Sequence, residues 1–282
     1  MHSIHPVLAS IRTVSQLSTQ YDAQFQDRID PRTFTSTERH TRASAETIAE
    51  RFGIGLHRAH MTLRATTQRG MQSAIFPIAR RYCADRMYRV KRLHSKFATD
   101  TLFSKTKSLR QNIALQIYSH KCGFKALYHL PRADGQHVGE SLKDFIHDFG
   151  APDHLTFDGA SVQHGANTTF MQTLRRSEIQ YHVSAPRRPN ENPAEASIMD
   201  LKKRWYRLMT RRNVPPRLWD FGLSWLCEIS NITANGSRYS VGRTPLEIIT
   251  GITPDISEYI DFEFYDWVVY RADAGLGPAQ IG

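Results

Sequence analysis

The feature that most constrains this chain is a change of hydrophobic period at residue 97. Segments at 97–103, IALQIYSH (113–120) and GFKALYHL (123–130) read as strands parted by polar or glycine-containing turns, an antiparallel meander. Leu142, Phe145, Ile146 and Phe149 then fall at the i, i+3, i+4, i+7 spacing of an amphipathic helix, stopped by Gly150 and Pro152. LTFDGA (155–160) is a fourth strand, Thr168 to Arg176 a second helix, and IQYHVSAP (179–186) a fifth strand ended by proline. Ile198, Leu201, Trp205 and Leu208 carry a long helix into Arg211–Arg212, where Pro215 and Pro216 break it. A helix from about Leu218 to Ile232, a short one from Pro245 to Ile249 and a closing strand in DWVVYR (266–271) complete the pattern.

Three strands, helix, strand, helix, strand, helix is the order of an RNase H-like fold, an α/β architecture with a mixed five-stranded sheet flanked by helices. In that order the first strand is central, and the fourth returns through its crossover helix to pair beside it. Asp100, in FATDTLFSK (97–105), and Asp158, released from LTFDGA into a glycine turn, then stand side by side. The helix that starts near Asn192 brings Glu195 to the same edge. Taken singly, each acid has an ordinary structural reading as a turn residue, a strand-end cap or a partner of the helix dipole. Taken together, three carboxylates suit two Mg²⁺ (or Mn²⁺) ions about 4 Å apart, one activating an attacking oxygen and one stabilising the leaving oxygen. Hard oxygen ligands of this kind favour those ions over zinc. Asp100, Asp158 and Glu195 are therefore the expected catalytic and metal-holding residues. The loop APRRPNENPAEA (185–196) has the composition of a mobile lid, and its Glu191 is a decoy acid that precedes the helix start.

The 282 residues carry a net charge of +10 and a pI near 9.7, which points to nucleic acid as partner. Residues 1–98 hold 16 Lys/Arg against 7 Asp/Glu, nine of the ten surplus charges. This basic arm is expected to supply most of the DNA affinity. Residues 1–43 sustain no period and read as a flexible arm or linker. Ser44 caps a short helix, Gly53 breaks it, and a second helix displays His57, Arg58, His60 and Arg64. The pattern fits a helix-turn-helix and equally a plain helical hairpin capping the main domain. With the basic run Arg80–Lys96 it makes a helical basic region over 44–96, followed by a core over 97–212 and its C-terminal helices and closing strand over 213–282. No zinc is expected, since His57 and His60 have only the lone Cys83 near them. The dispersed Cys83, Cys122 and Cys227 form no Cys-x-x-Cys pair, no apolar run approaches the ~20 residues of a membrane span, and no signal peptide opens the chain. A soluble, intracellular protein with no membrane partner is the expectation.

The region from about Asp100 to Arg271 resembles the catalytic core of copia-type retrotransposon integrases, in the retroviral integrase and DDE-transposase superfamily. The family's triad falls on Asp100, Asp158 and Glu195, with 36 residues between the last two, and its lysine falls on Lys202 in DLKK (200–203). The later signature Gly-basic-Thr-Pro-x-Glu, then Gly-x-x-Pro, appears as GRTPLEIITGITP (242–254), with no catalytic reason evident. The chain departs from the family at Asp158-Gly159-Ala160 (usually Asp-Asn-Gly), at Asn192-Pro193 (usually Asn-Gly) and at Met199, often basic in relatives. The family's His/His/Cys/Cys module is missing, and residues 44–64 occupy its place. The resemblance implies trimming of element DNA ends and joining of their 3′-hydroxyls to target DNA, by a homo-oligomer acting in the nucleus. Asp100 would bridge both metals and Lys202 would meet a DNA phosphate. Lys203, Arg187 and Arg188 are weaker DNA contacts, and Arg58 and Arg64 extend the surface. The alternatives are a DDE transposase or nuclease of the same fold, and a non-catalytic DNA-binding protein, decayed or domesticated.

Overall fold

A computed structural model of the protein describes residues 42–68, 91–159, 168–184 and 192–266. Up to Phe264 these lie within one compact unit, Arg42–Phe264. Strands β1 (Arg92–Phe103), β2 (Ala114–His120), β3 (Lys125–Leu130), β4 (Ala151–Asp158) and β5 (Gln180–Ser184) form one sheet in the order β3-β2-β1-β4-β5. The β1–β2 and β2–β3 pairs are antiparallel, and β1–β4 and β4–β5 are parallel. This is the RNase H-like topology that the order of elements predicts, with β1 at the centre.

Alternation along the strands divides the core in two. Phe97, Tyr118 and Phe157 turn to one face, where α3 (Gly135–Asp148) and α4 (Thr169–Arg176) close over them with Leu142, Phe145 and Phe170. Ala98, Leu102, Leu115 and Ile117 turn to the other, under α5 (Pro193–Arg212) and α6 (Trp219–Ile232), which contribute Ile198, Leu201, Leu223 and Leu226. Asn231 of α6 brackets Lys125 on the edge strand β3, accepting its backbone N–H at 2.9 Å and donating to its carbonyl at 2.7 Å. An open edge is thereby partly covered.

Two strands extend further back than their sequence patterns indicate. β4 starts at Ala151, so Pro152 lies inside it. Pro152 is opposite Leu93 of β1, while pairing with β5 begins only at His154, so the missing N–H forfeits no bond to β5. β1 starts at Arg92 and crosses the expected 96/97 boundary. Arg92, part of the basic run in the sequence, is a brace: its guanidinium donates to the Ser177 carbonyl at 2.6 Å and lies 3.6 Å from Asp153. Arg80 to Arg89 of that run, Cys83, the arm 1–41 and residues 267–271 of the expected closing strand lie outside the described residues.

The amino-terminal helices α1 (Ala45–Phe52) and α2 (Leu56–Ala65) form where the caps place them. Ser44 accepts from the Thr47 N–H, and Gly53 takes the left-handed conformation that ends α1. Ile48, Phe52 and Ala59 pack with Ile229, Ile232 and Ile256, so the hairpin caps the end of α6. His57, Arg58, His60 and Arg64 remain exposed on its outer side.

The GRTPLEIITG stretch is a self-contained helix with its own start and stop signals. In α7 (Pro245–Thr250), Thr244 is the N-cap, accepting from Glu247 N–H at 3.2 Å, and Pro245 occupies the first turn. Arg243 pairs with Glu247 at 3.3 Å, and Gly251, at φ 73°, closes the helix. A signature without catalytic reason in the sequence thus has a folding one. Arg211 and Arg212 are likewise no free basic tail, because both meet the buried carboxylate of Glu263. Among the described residues, no helix is long and apolar enough to cross a membrane.

Candidate active site

The parallel register of β1 and β4 pairs Ala98 with Thr156. Asp100 and Asp158, each two residues further on, continue that row on adjacent strands, which run about 4.8 Å apart. Phe157 points into the α3–α4 face and Ala98 into the α5–α6 face, so both aspartates turn to the side of α5. Glu195 stands in the first turn of α5, above the same edge.

One residue fixes that helix start. Asn192, almost fully buried, caps α5 by accepting from the Ala194 N–H at 3.0 Å, and its amide donates to the Thr99 carbonyl at 3.2 Å. The cap of the helix bearing Glu195 is thus tied to the residue immediately before Asp100. Pro193 at the first position supplies a pre-set φ at no cost in hydrogen bonds. Asn192-Pro193, a departure from the resembling family, therefore has a local structural use here. In the sequence Asn192 marks a helix start, but nothing in it shows the bond across to β1.

Burial pushes the Asp100 carboxyl above the ordinary carboxylate range, against a hydrogen bond from the Thr101 N–H, and the charges of Glu195 and Asp158 push it further. Lys202, two turns past Glu195 on α5, pulls it back down. Three predicted site residues therefore act electrostatically on a fourth, Asp100. Among the described residues, no group of three or more His, Cys, Asp or Glu is drawn together tightly enough to hold a metal ion. Asp100 and Asp158 each turn an oxygen to the next backbone N–H, of Thr101 and Gly159, at 2.7 Å. Carboxylates that repel one another take the nearest donors, and a cation among them would reverse the preference. The donor set fits such a cation: all oxygen, all carboxylate, carried on strand and helix ends, with no soft ligand.

The other predicted DNA-facing residues are spread more widely. Lys203 is exposed beside Lys202. Arg58 lies close enough to raise the cost of charge on Arg204 of α5, nine residues beyond Glu195 and so about 13 Å along the helix. Arg64 is exposed on α2 with the same hairpin. Arg187, Arg188 and the decoy Glu191 lie outside the described residues.

No protein-family model matches the sequence, and no curated protein matches it. Several solved structures are similar to it in fold. The catalytic core domain of BIV integrase is similar over 55% of this chain and 93% of its own, at 16% identity and a TM-score of 0.42. The simian T-cell lymphotropic virus intasome in complex with the PP2A regulatory subunit B56 gamma is similar over 73% and 72%, at 19% identity and a TM-score of 0.49. The HTLV-2 integrase catalytic core domain in complex with magnesium is similar over 57% and 99%, at 14% identity and a TM-score of 0.42. The likeness is one of fold, and the site stands on this chain's own residues.

Proposed function

We propose that this chain is a retrotransposon integrase of the copia type, a polynucleotidyl transferase that trims element DNA ends and joins them to target DNA. The observation that carries the reading is the row of Asp100 and Asp158 on adjacent strands, facing the helix turn that holds Glu195. A pair of Mg²⁺ or Mn²⁺ ions bound by these carboxylates would supply Lewis-acid activation of the attacking oxygen and charge stabilisation of the leaving one. Asp100, central in the sheet, would hold these ions together with Asp158 and Glu195. Lys202 holds a DNA phosphate beside them, with Lys203 and the Arg187–Arg188 loop adding weaker contacts. The surplus positive charge supports DNA as substrate, and a homo-oligomer suits the joining of two ends to one target.

The test is strand joining with short duplexes carrying element ends, in Mg²⁺ and in Mn²⁺. Wild type joins, and Asp158→Asn and Glu195→Gln bind DNA without joining it. A wild-type chain that binds the duplexes but neither trims nor joins them in either metal would leave the non-catalytic DNA-binding reading in its place.

A further inference from the structure

Away from the carboxylates, the turn between β2 and β3 carries a second concentration of charge. Asp100 is paired with Ile117 and Phe97 with His120, so Lys121 lies four residues, or about 13 Å, along the strand from the Asp100 row. Lys121 is exposed, and its Nζ stands 5.0 Å from the ring centroid of Tyr239. The Arg238 guanidinium carbon is 4.7 Å from the same centroid, and Arg238 donates to the Tyr239 hydroxyl at 2.6 Å.

The loop that presents these side chains is firmly built. Asn235 donates to the Cys122 carbonyl at 3.2 Å, fastening residues 235–243 to the β2–β3 turn, and accepts from the Ser237 N–H at 3.0 Å. Gly242 N–H returns to the Asn235 carbonyl at 3.0 Å, and Val241 N–H to that of Ser237 at 2.9 Å. The one acid close by in sequence, Glu247, is taken by Arg243. Among the described residues neither Lys121 nor Arg238 has a carboxylate partner.

Two cations at one aromatic ring repel each other, and the ring's attraction for them offsets that only in part. An anion set against both satisfies the arrangement. A phosphate backbone provides such anions in series, and charge-assisted bonds from Arg and Lys are its usual partners. Because the chain's own cations already occupy Tyr239, its ring is not offered to a base, so the patch reads backbone rather than sequence. We propose that Lys121, Tyr239 and Arg238 form a phosphate-backbone contact for double-stranded DNA, separate from the carboxylate row and independent of metal. It shares the DNA partner with the function above but needs no reactivity from the carboxylates.

The experiment measures binding of the full 282-residue chain to a labelled duplex of about 30 base pairs in EDTA, from about 50 to 200 mM KCl. Lys121→Gln with Arg238→Gln should lower the magnitude of the log–log salt slope by about two, near 0.9 for each phosphate no longer neutralised. Tyr239→Leu removes no charge, yet should weaken binding about threefold by releasing both cations. The charge-conserving pair Lys121→Arg with Arg238→Lys should keep the slope, which separates removal of the two charges from a failure to fold. An unchanged slope and affinity in the glutamine pair would overturn the proposal. So would loss of binding to polyglutamate with duplex binding intact, which would assign the patch to an acidic peptide. A chain that fails to join DNA but shows the slope change would sink the integrase reading and leave this phosphate site standing.

Discussion

On the face covered by α3 and α4, the sheet presents rings packed against rings. Tyr118 stacks on Phe145 at 4.5 Å, Phe97 meets Phe145 at 5.2 Å, and Phe157 meets Phe170 at 5.1 Å. On the face covered by α5 and α6, the same strands present Ala98, Leu102, Leu115 and Ile117, and on the neighbouring β1 and β4 also Asp100 and Asp158. Side chains on a strand alternate, so Asp158 directly follows a fully buried phenylalanine and Asp100 lies three residues beyond another. The closed face supplies rigid position and the open face supplies charge. Substitutions among the rings of the first should lose stability, and those of the two aspartates on the second should lose chemistry.

The sharpest break of that comparison is Asp100→Asn. Joining should fall by about 10³–10⁵-fold, equivalent to about 4–7 kcal/mol in the barrier. Melting in EDTA should not fall at neutral pH and should rise slightly. The sign follows from the raised pKa: the native state holds the proton more tightly than the unfolded chain, so stability declines as pH climbs above the ordinary aspartate value of 3.8. Asparagine escapes that decline, and its advantage should vanish near pH 3. A variant that melts earlier at pH 7 would place Asp100 among the structural residues. Phe145→Ala is the counterpart on the closed face. It should cost about 3–5 kcal/mol in denaturant unfolding, while joining per folded molecule survives.

The same division explains how far the sequence could be read. Strand order and the row of Asp100 and Asp158 are legible because period-2 and period-3.6 patterns dictate faces, and the central place of β1 follows from the connection rules. Asn192 is legible as a helix start only, since its amide reaches Thr99, 93 residues away in the chain. In the sequence Arg92 is legible only as part of a basic run and Arg211–Arg212 only as a basic helix end, because their partners Ser177 and Glu263 come from distant segments. The strand starts at Arg92 and Ala151 are hidden by polar and proline residues that break an apolar run, although the two strands stay paired there across a register shift between Leu93 and Lys96. Long-range polar bonds leave no periodic trace.

The closed face also holds a titratable group, which sharpens the comparison at lower amplitude. His120, packed at 5.2 Å from Phe97, is held neutral by burial, aided by the charge of Lys121, with its pKa lowered to about 4. The unfolded chain takes up the proton below the ordinary 6.5, whereas the native state does so only near 4. Stability should therefore be flat above pH 6.5 and decline as pH falls toward 4. With partial exposure discounted, the loss is about 1–2 kcal/mol. In His120→Gln that part of the pH dependence should disappear, and an unchanged decline would assign it to other groups.

The smallest effect belongs to the open face and turns on Lys202. It is exposed, so Lys202→Ala should leave the folding stability within about 0.5 kcal/mol of wild type. Two consequences of its position pull in opposite directions. Without the phosphate contact proposed for it, joining should fall about tenfold and the salt slope of duplex binding by at most about one. Yet Lys202 is a cation acting on Asp100, and its removal leaves a more negative site, so half-maximal joining should need less Mg²⁺ than in wild type. Lys203→Ala, turned about 100° around α5, should show neither change in full. Joining measured across a magnesium titration separates the cases. Lower maximal joining with a lower magnesium requirement places the lysine between DNA and the carboxylates, whereas full activity with both curves superimposed would make it a solvated surface residue.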